Sequence, residues 1–299
     1  PFNLDYPYWI EDKDFDLEFH VRHIRLPEPG DWRQFCIQVA RLHSRPLDMT
    51  KAPWELTVIE GLDAIEGLPI GSYAVVTKIH HACIDGVAGA DITEALHSLE
   101  PYGAMPQRPE TPWRGEDEPN PVELVTRAQF NNFTQPLRFA EVMARAVPAM
   151  ANFQSGLAQR KFAVNTRVPK TRFGRVISSH RVIEGRTIEL AKVKNVKKAV
   201  EGATINDAVL TICGGALRKY LLSKKELPEY SLVAMAPISV RSNGESGQEG
   251  NSVAAMTVAL GTNIEDPIER LKSVHRASIS SKEMTNAVGA KLMTDFGQF

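Results

Sequence analysis

The stretch that decides how this chain is read is Tyr73-Ala-Val-Val-Thr-Lys-Ile-His-His-Ala-Cys-Ile-Asp-Gly86. Its first half carries β-branched side chains at Val75, Val76, Thr77 and Ile79. Such residues suit a pleated, buried surface, so Tyr73 to Ile79 predicts a central strand. The strand runs straight into His80, His81, Ala82, Cys83, Ile84, Asp85 and Gly86. After Gly86 the chain from Val87 to Leu99 has helical composition, with small residues on its first turn. Strand, polar turn, helix is an α/β layout, and open α/β sheets bind ligands at the carboxyl ends of their strands.

The polar turn contains groups that can do chemistry. An imidazole such as that of His81 has an unperturbed pKa of about 6.5, suited to taking a proton from an alcohol near neutral pH. Asp85 stands four residues on, in a tight turn ended by the permissive Gly86, and its placement favours pairing with an arginine over touching substrate. Zinc is disfavoured, because adjacent histidines leave a strand on opposite faces and do not readily chelate one ion. Cys83 reads as a small hydrophobe, since nothing nearby lowers a thiol pKa. His20 and His23 have no matching third ligand, and His43, His97, His180 and His275 read as structural or exposed.

Working outward, alternation from Phe15 to Leu26 predicts a half-buried strand, and Asp31 caps a helix bearing Phe35, Ile37, Val39, Ala40 and Leu42. Pro53 to Glu60 reads as a strand, and Pro101 to Asn120 as an exposed linker. Val122 to Lys161 is helical in character but broken by Pro136 and Pro148. A second α/β region follows: a strand from Arg175 to Val182, helices from Leu190 to Val200 and, capped by Thr204, from Ile205 to Leu222, strands from Leu232 to Val240 and from Val253 to Leu260, and a last helix from Pro267 to Ser281. The expected division is an N-terminal domain over 1–105, a linker and crossover over 106–172, and a C-terminal domain, incomplete, over 173–299.

Composition bounds the function classes. The 299 residues, with 43% apolar side chains, have the proportions of an ordinary globular protein with room for two domains. With 35 Lys plus Arg against 36 Asp plus Glu, the net charge is −1, so no overall attraction for nucleic acid or acidic lipid exists. Cys36, Cys83 and Cys213 are odd in number and far apart, which argues against a disulfide framework and for a reducing, cytoplasmic compartment. No window approaches the ~18 uninterrupted apolar residues of a membrane span, and the opening lacks a signal peptide. A first residue other than Met suggests that the chain begins inside a longer gene product.

The heptapeptide His80 to Gly86 matches the HHxxxDG signature of the acyltransferase superfamily that includes chloramphenicol acetyltransferase, plant BAHD acyltransferases and nonribosomal-peptide condensation domains. Beyond it, the chain resembles the bacterial wax ester synthase/acyl-CoA:diacylglycerol acyltransferase family. Four further blocks carry that resemblance: Ser44-Arg45-Pro46-Leu47-Asp48 leading to Pro53-Trp54-Glu55, Thr204 to Leu210, Pro237-Ile238-Ser239-Val240-Arg241, and Gly250-Asn251. They occur in the expected order between about Asp14 and Arg270. Two departures stand out: Ala52-Pro53-Trp54 occupies the family's Pro-Leu-Trp block, and the chain starts after the family's opening strand and stops before its usual end.

The resemblance implies two α/β domains of the chloramphenicol-acetyltransferase type, with an active-site channel between them. It implies His81 as catalytic base, supported by His80, and a structural Asp85 bridged to Arg241 or another arginine. Pro53, Trp54 and Asp207 are implied structural residues, and Gly86, Ser239 and Asn251 substrate-side candidates. Asn206 is either a hydrogen-bond donor to the reaction or a helix-cap residue, with the two evenly weighed. The implied reaction moves a fatty acyl group from acyl-CoA, a substrate and not a cofactor, to a fatty alcohol or diacylglycerol. No metal, cofactor or nucleic acid is implied. Such insoluble substrates imply peripheral visits to the inner membrane or lipid droplets. Two competing readings are a condensation-domain relative using carrier-protein thioesters and a catalytically idle lipid- or CoA-binding protein. The Arg45 to Asp48 and Asn206-Asp207 blocks favour acyl-CoA transfer.

Overall fold

Local capping sets where several elements begin. Asp31 accepts from the backbone of Gln34 at 2.8 Å while the Gln34 side chain accepts from the backbone N–H of Asp31, a reciprocal box that opens α2 (Trp32–Ser44). A computed structural model describes residues 4, 5, 7–84, 92–98, 100, 103, 118–162, 167–239, 253–289 and 292. The other elements are α1 (Leu17–His20), β1 (Val21–Arg25), β2 (Trp54–Glu60), β3 (Ala74–Ile79), α3 (Pro121–Ala158), α4 (Leu190–Lys197), α5 (Ile205–Ser223), β4 (Val233–Ser239), β5 (Val253–Ala259) and α6 (Pro267–Val288). The mixture bears out an α/β fold. Among the described residues the chain forms two compact units, one from residues 4–136 and 178–185, the other from 137–177, 186–239 and 253–289.

In the first unit β2 is the middle strand of three, parallel to β1 and antiparallel to β3, with Trp54 opposite Ile79. The expectation of a central strand at Tyr73 to Ile79 is therefore corrected: β3 flanks β2, and its side chains alternate between half-buried and exposed over most of its length. The core is Leu26, Ile59 and Leu62, with Phe35, Val39 and Leu42 of α2 packed on them. Each such side chain contributes about 1.5–3 kcal/mol when fully buried. Lys78 of β3 hooks the helix to the sheet, donating to the carbonyls of Leu42, at 3.2 Å, and Arg45 at the end of α2. Residues 92–96 are helical, as expected after the polar turn.

Three expectations fail for identifiable reasons. Phe15 to Leu26 is not one strand: Asp16 accepts from the Glu18 backbone at 3.0 Å and opens the helical turn α1, so extended structure starts only at Val21. Arg175 to Val182 forms no strand; Val176 and Val182 are fully exposed, and no described strand pairs with the segment. β propensity acts through packing and ladder partners, so without them it orders nothing. Finally, α3 runs unbroken through Pro136 and Pro148. Each proline removes one rung at about 3 kcal/mol. A helix already nucleated on either side nevertheless continues, because nucleation is the costly step. Asn131 and Asn132 also anchor the turn before Pro136, donating to Asp5 at 2.7 Å and to the Leu4 carbonyl at 3.0 Å.

The second unit packs α5 and α6 against the antiparallel pair β4 and β5. Leu221, Leu232 and Leu260 form one buried cluster, Met256, Val258 and Val274 another, and Leu210 touches both. Asp266 caps α6, accepting from Ile268 and Glu269, with Pro267 in the first helical position. No helix of the described residues is long and apolar enough to cross a membrane.

The closest approach in this unit is at Gly214 of α5, where a Cβ would lie 2.2 Å from the Leu260 carbonyl oxygen. Backbone cannot yield as a flexible side chain does. Gly214→Ala is expected to lower stability by about 1–3 kcal/mol in urea unfolding. A parental midpoint would show that the helix and strand end can separate freely.

Candidate active site

The turn that follows β3 is built by two backbone hydrogen bonds. The His80 N–H donates to the Pro53 carbonyl at 2.9 Å, extending the β2–β3 ladder by one rung, and the Cys83 N–H closes back on the His80 carbonyl at 2.9 Å. His81 and Ala82 are therefore the central residues of a β-turn, and His81 stands exposed at its tip. The Ala82 N–H donates to His80 Nδ1 at 3.2 Å. In neutral His80 this places the proton on Nε2 and pins the ring to the turn beside His81.

Beneath the turn, Pro53 and Trp54 are half-buried, and the Trp54 indole stacks on His20 with ring centroids 4.8 Å apart. Arg22 and Glu55 form an ion pair one step along the sheet, at 3.4 Å. Cys83 is exposed, yet the water it does lose to the neighbouring chain pushes its thiol pKa up, away from thiolate chemistry. Asp85, Gly86, Arg241 and Asn251 lie outside the described residues, as does the side chain of Ser239, the last residue of β4. Among the described residues no group of His, Cys, Asp and Glu is arranged to hold a metal ion.

In the second unit the Asn206-Asp207 block separates into two roles. Thr204 is the cap of α5: its hydroxyl accepts from the Asp207 N–H at 3.1 Å, and Asp207 Oδ2 accepts from the Thr204 N–H at 2.9 Å. Capping is thus done by Thr204 and Asp207, while the Asn206 side chain is exposed on the first helical turn. Asp207 is 1% exposed and also meets His275 Nδ1 of α6 at 2.9 Å, which ties the two helices together. Burial alone would raise the Asp207 pKa. Hydrogen bonds from the Thr204 backbone, His275 and the Thr204 hydroxyl outweigh it, holding the carboxyl below the ordinary aspartate value.

Sequence reading placed His275 in the right broad class without identifying its partner. The partners are separated by 68 residues, and no local pattern links them. His20 is missed more seriously, being 1% exposed at the sheet end that carries the histidine pair. The aromatic neighbours Phe15 and Phe19 were the available signal.

Profiles of known families match the chain along most of its length. The wax ester synthase/diacylglycerol acyltransferase catalytic domain matches residues 1–209, and the WS/DGAT C-terminal domain residues 249–299. A Mycobacterium tuberculosis H37Rv protein provisionally named a diacylglycerol O-acyltransferase is 33% identical over 99% of this chain and 57% of its own length. The O-acyltransferase WSD of Acinetobacter baylyi is 31% identical over 95% of this chain and 60% of its own. The chain thus spans somewhat more than half the length of these relatives. Among solved structures, the wax ester synthase/diacylglycerol acyltransferase from Marinobacter aquaeolei VT8 shares the fold, with a TM-score of 0.63 and 24% identity over 98% of this chain and 59% of that one.

The Asp207 network has a pH signature. A depressed native pKa means that the ionised carboxylate stabilises the fold. That contribution is complete above the ordinary value near 3.9 and disappears as pH falls through the lower native value. Urea midpoints measured from pH 5 down to pH 2 are expected to fall more steeply in the parent than in Asp207→Asn. Equal slopes would remove Asp207 from the acid response.

Proposed function

The chain belongs to the wax ester synthase/diacylglycerol acyltransferase family, and we propose that it transfers a fatty acyl group from acyl-CoA to the hydroxyl of a long-chain alcohol or diacylglycerol, with His81 as general base. The observation that carries this reading is the turn at the end of β3: His81 stands exposed at its tip, beside a His80 ring pinned by the Ala82 N–H. A base must be reachable by substrate, and the exposed tip of that turn leaves His81 so.

The chemistry balances without a covalent enzyme intermediate. His81 takes the hydroxyl proton as the alcohol oxygen bonds to the thioester carbonyl carbon. The tetrahedral oxyanion then collapses with cleavage of the carbon–sulfur bond, and the imidazolium returns its proton to the departing CoA thiolate. Asn206, with its amide exposed on the first turn of α5, is the proposed substrate-facing hydrogen-bond donor. Asp207 is assigned the structural half of that block. Asp85 is assigned a structural role, as the partner of Arg241 or another arginine, and Gly86, Ser239 and Asn251 are assigned to the substrate side. Cys83 takes no part, in keeping with its raised pKa.

Contact with a lipid surface belongs to the same proposal. It is supported by apolar side chains left exposed along α3, among them Val122, Phe130, Phe133, Leu137, Val147 and Met150. Sedimentation with phospholipid vesicles is expected to carry the parent down and to release a Phe133→Asp/Leu137→Asp variant. Equal recovery of both would reject α3 as the contact.

The central test is His81→Ala, assayed with palmitoyl-CoA and hexadecanol by release of free CoA. Turnover is expected to fall by roughly 10²–10⁴-fold with an unchanged melting profile. Near-parental turnover in the folded variant would sink the mechanism.

A further inference from the structure

His20 is a buried polar group that packing alone does not explain. It is 1% exposed, and its ring meets Phe15, at 5.0 Å and 12° between planes, and Trp54, at 4.8 Å and 28°, with Phe19 edge-on at 5.1 Å. His20 Nδ1 is 2.7 Å from the Trp54 carbonyl oxygen. A carbonyl only accepts, so Nδ1 carries a proton, and in the neutral ring Nε2 then presents a lone pair. That Nε2 is buried with no hydrogen-bond partner. A phenyl ring would fill the same aromatic slot without leaving an acceptor unsatisfied. What imidazole supplies and phenyl cannot is the Nδ1–H donated to Trp54.

The destination of that hydrogen bond gives it meaning. Consecutive carbonyls of an extended strand point to opposite neighbours. At the start of β2, the Pro53 carbonyl accepts from the His80 N–H on the β3 side, and the Trp54 carbonyl accepts from His20 on the β1 side. The register of β1 with β2 begins at Val21 opposite Leu56, so no residue of β1 is paired with Trp54. The His20 side chain acts as the missing rung. It fixes the Pro53-Trp54 segment from one side while the turn bearing His81 hangs from the other.

We infer that His20 is a positioning residue for the proposed acyl transfer, holding the His80–His81 turn in register through Trp54 and Pro53. This rests on the reading of His81 as general base. Displacing a reacting group by about 1 Å costs on the order of a hundredfold in rate without touching the chemistry.

The test compares three variants of the intact protein with palmitoyl-CoA and hexadecanol. His20→Asn places an amide N–H where Nδ1–H was. His20→Phe keeps the ring and removes the donor, and His20→Gln carries its amide past Trp54 to the Nε2 position. His20→Phe and His20→Gln are expected to lower kcat by about 10–100-fold with KM within about twofold, whereas His20→Asn restores most of kcat. A merely structural role would track melting temperature and would not sort variants by donor position. Should His20→Phe fail to fold, the Asn-against-Gln comparison reads the same quantity. Parental kcat in folded His20→Phe or His20→Gln, or His20→Asn no better than His20→Gln, overturns the inference. A parallel His81→Ala separates the two failures: an active His81→Ala rejects the base assignment, whereas an inactive one beside a fully active His20→Phe rejects only the role of His20.

Discussion

Two adjacent carbonyls, those of Pro53 and Trp54, are the constraint around which the first unit is organised. One receives the His80 N–H and the other the His20 imidazole, so the start of β2 is held from both flanks. A strand end ordinarily frays, because its last peptide groups have water as an equally good partner. Here both partners belong to the protein, and one of them begins the turn that presents His81. Lys78, tied to the end of α2, extends the same restraint from the strand to the helix behind it. The exposed imidazole thus stands on a ladder, a side-chain rung and a helix terminus.

The second unit solves a similar problem with charge. Asp207 is buried, but Thr204 and His275 surround its Oδ2 with donors, so the carboxylate that opens α5 also fastens α6. Burying a carboxylate is unfavourable unless hydrogen bonds replace its water. Three donors stand in for that water at Oδ2, and together they hold the carboxyl below the ordinary aspartate value. Asn206, one residue earlier, remains exposed because Asp207 and Thr204 between them do the capping.

Much of this was legible in the sequence because it is local. The Asp31 and Thr204 caps, the strands at Trp54 and Ala74, and the His80-His81 turn each depend on residues a few positions apart. The failures were equally physical. Arg175 to Val182 has strand composition but no described partner strand, and composition does not record partners. Pro136 and Pro148 predict breaks in a helical stretch, although a proline stops a helix only when nothing beyond it holds the chain helical. The pairs that define the site's supports, His20 with Trp54 and Asp207 with His275, join residues 34 and 68 positions apart. No periodicity points across such distances.

The uninterrupted course of α3 has a mechanical side. A helix resists bending because every turn is cross-linked by N–H to carbonyl bonds, and proline deletes such a link at each place it occurs. The carbonyls of Asn132 and Ala144 therefore lack their intrahelical donors, which makes α3 a rod with two compliant joints. The first joint follows Asn131 and Asn132, whose side chains tie the preceding turn to Asp5 and Leu4. Flexing the rod there breaks one hydrogen bond fewer than flexing it within an intact turn.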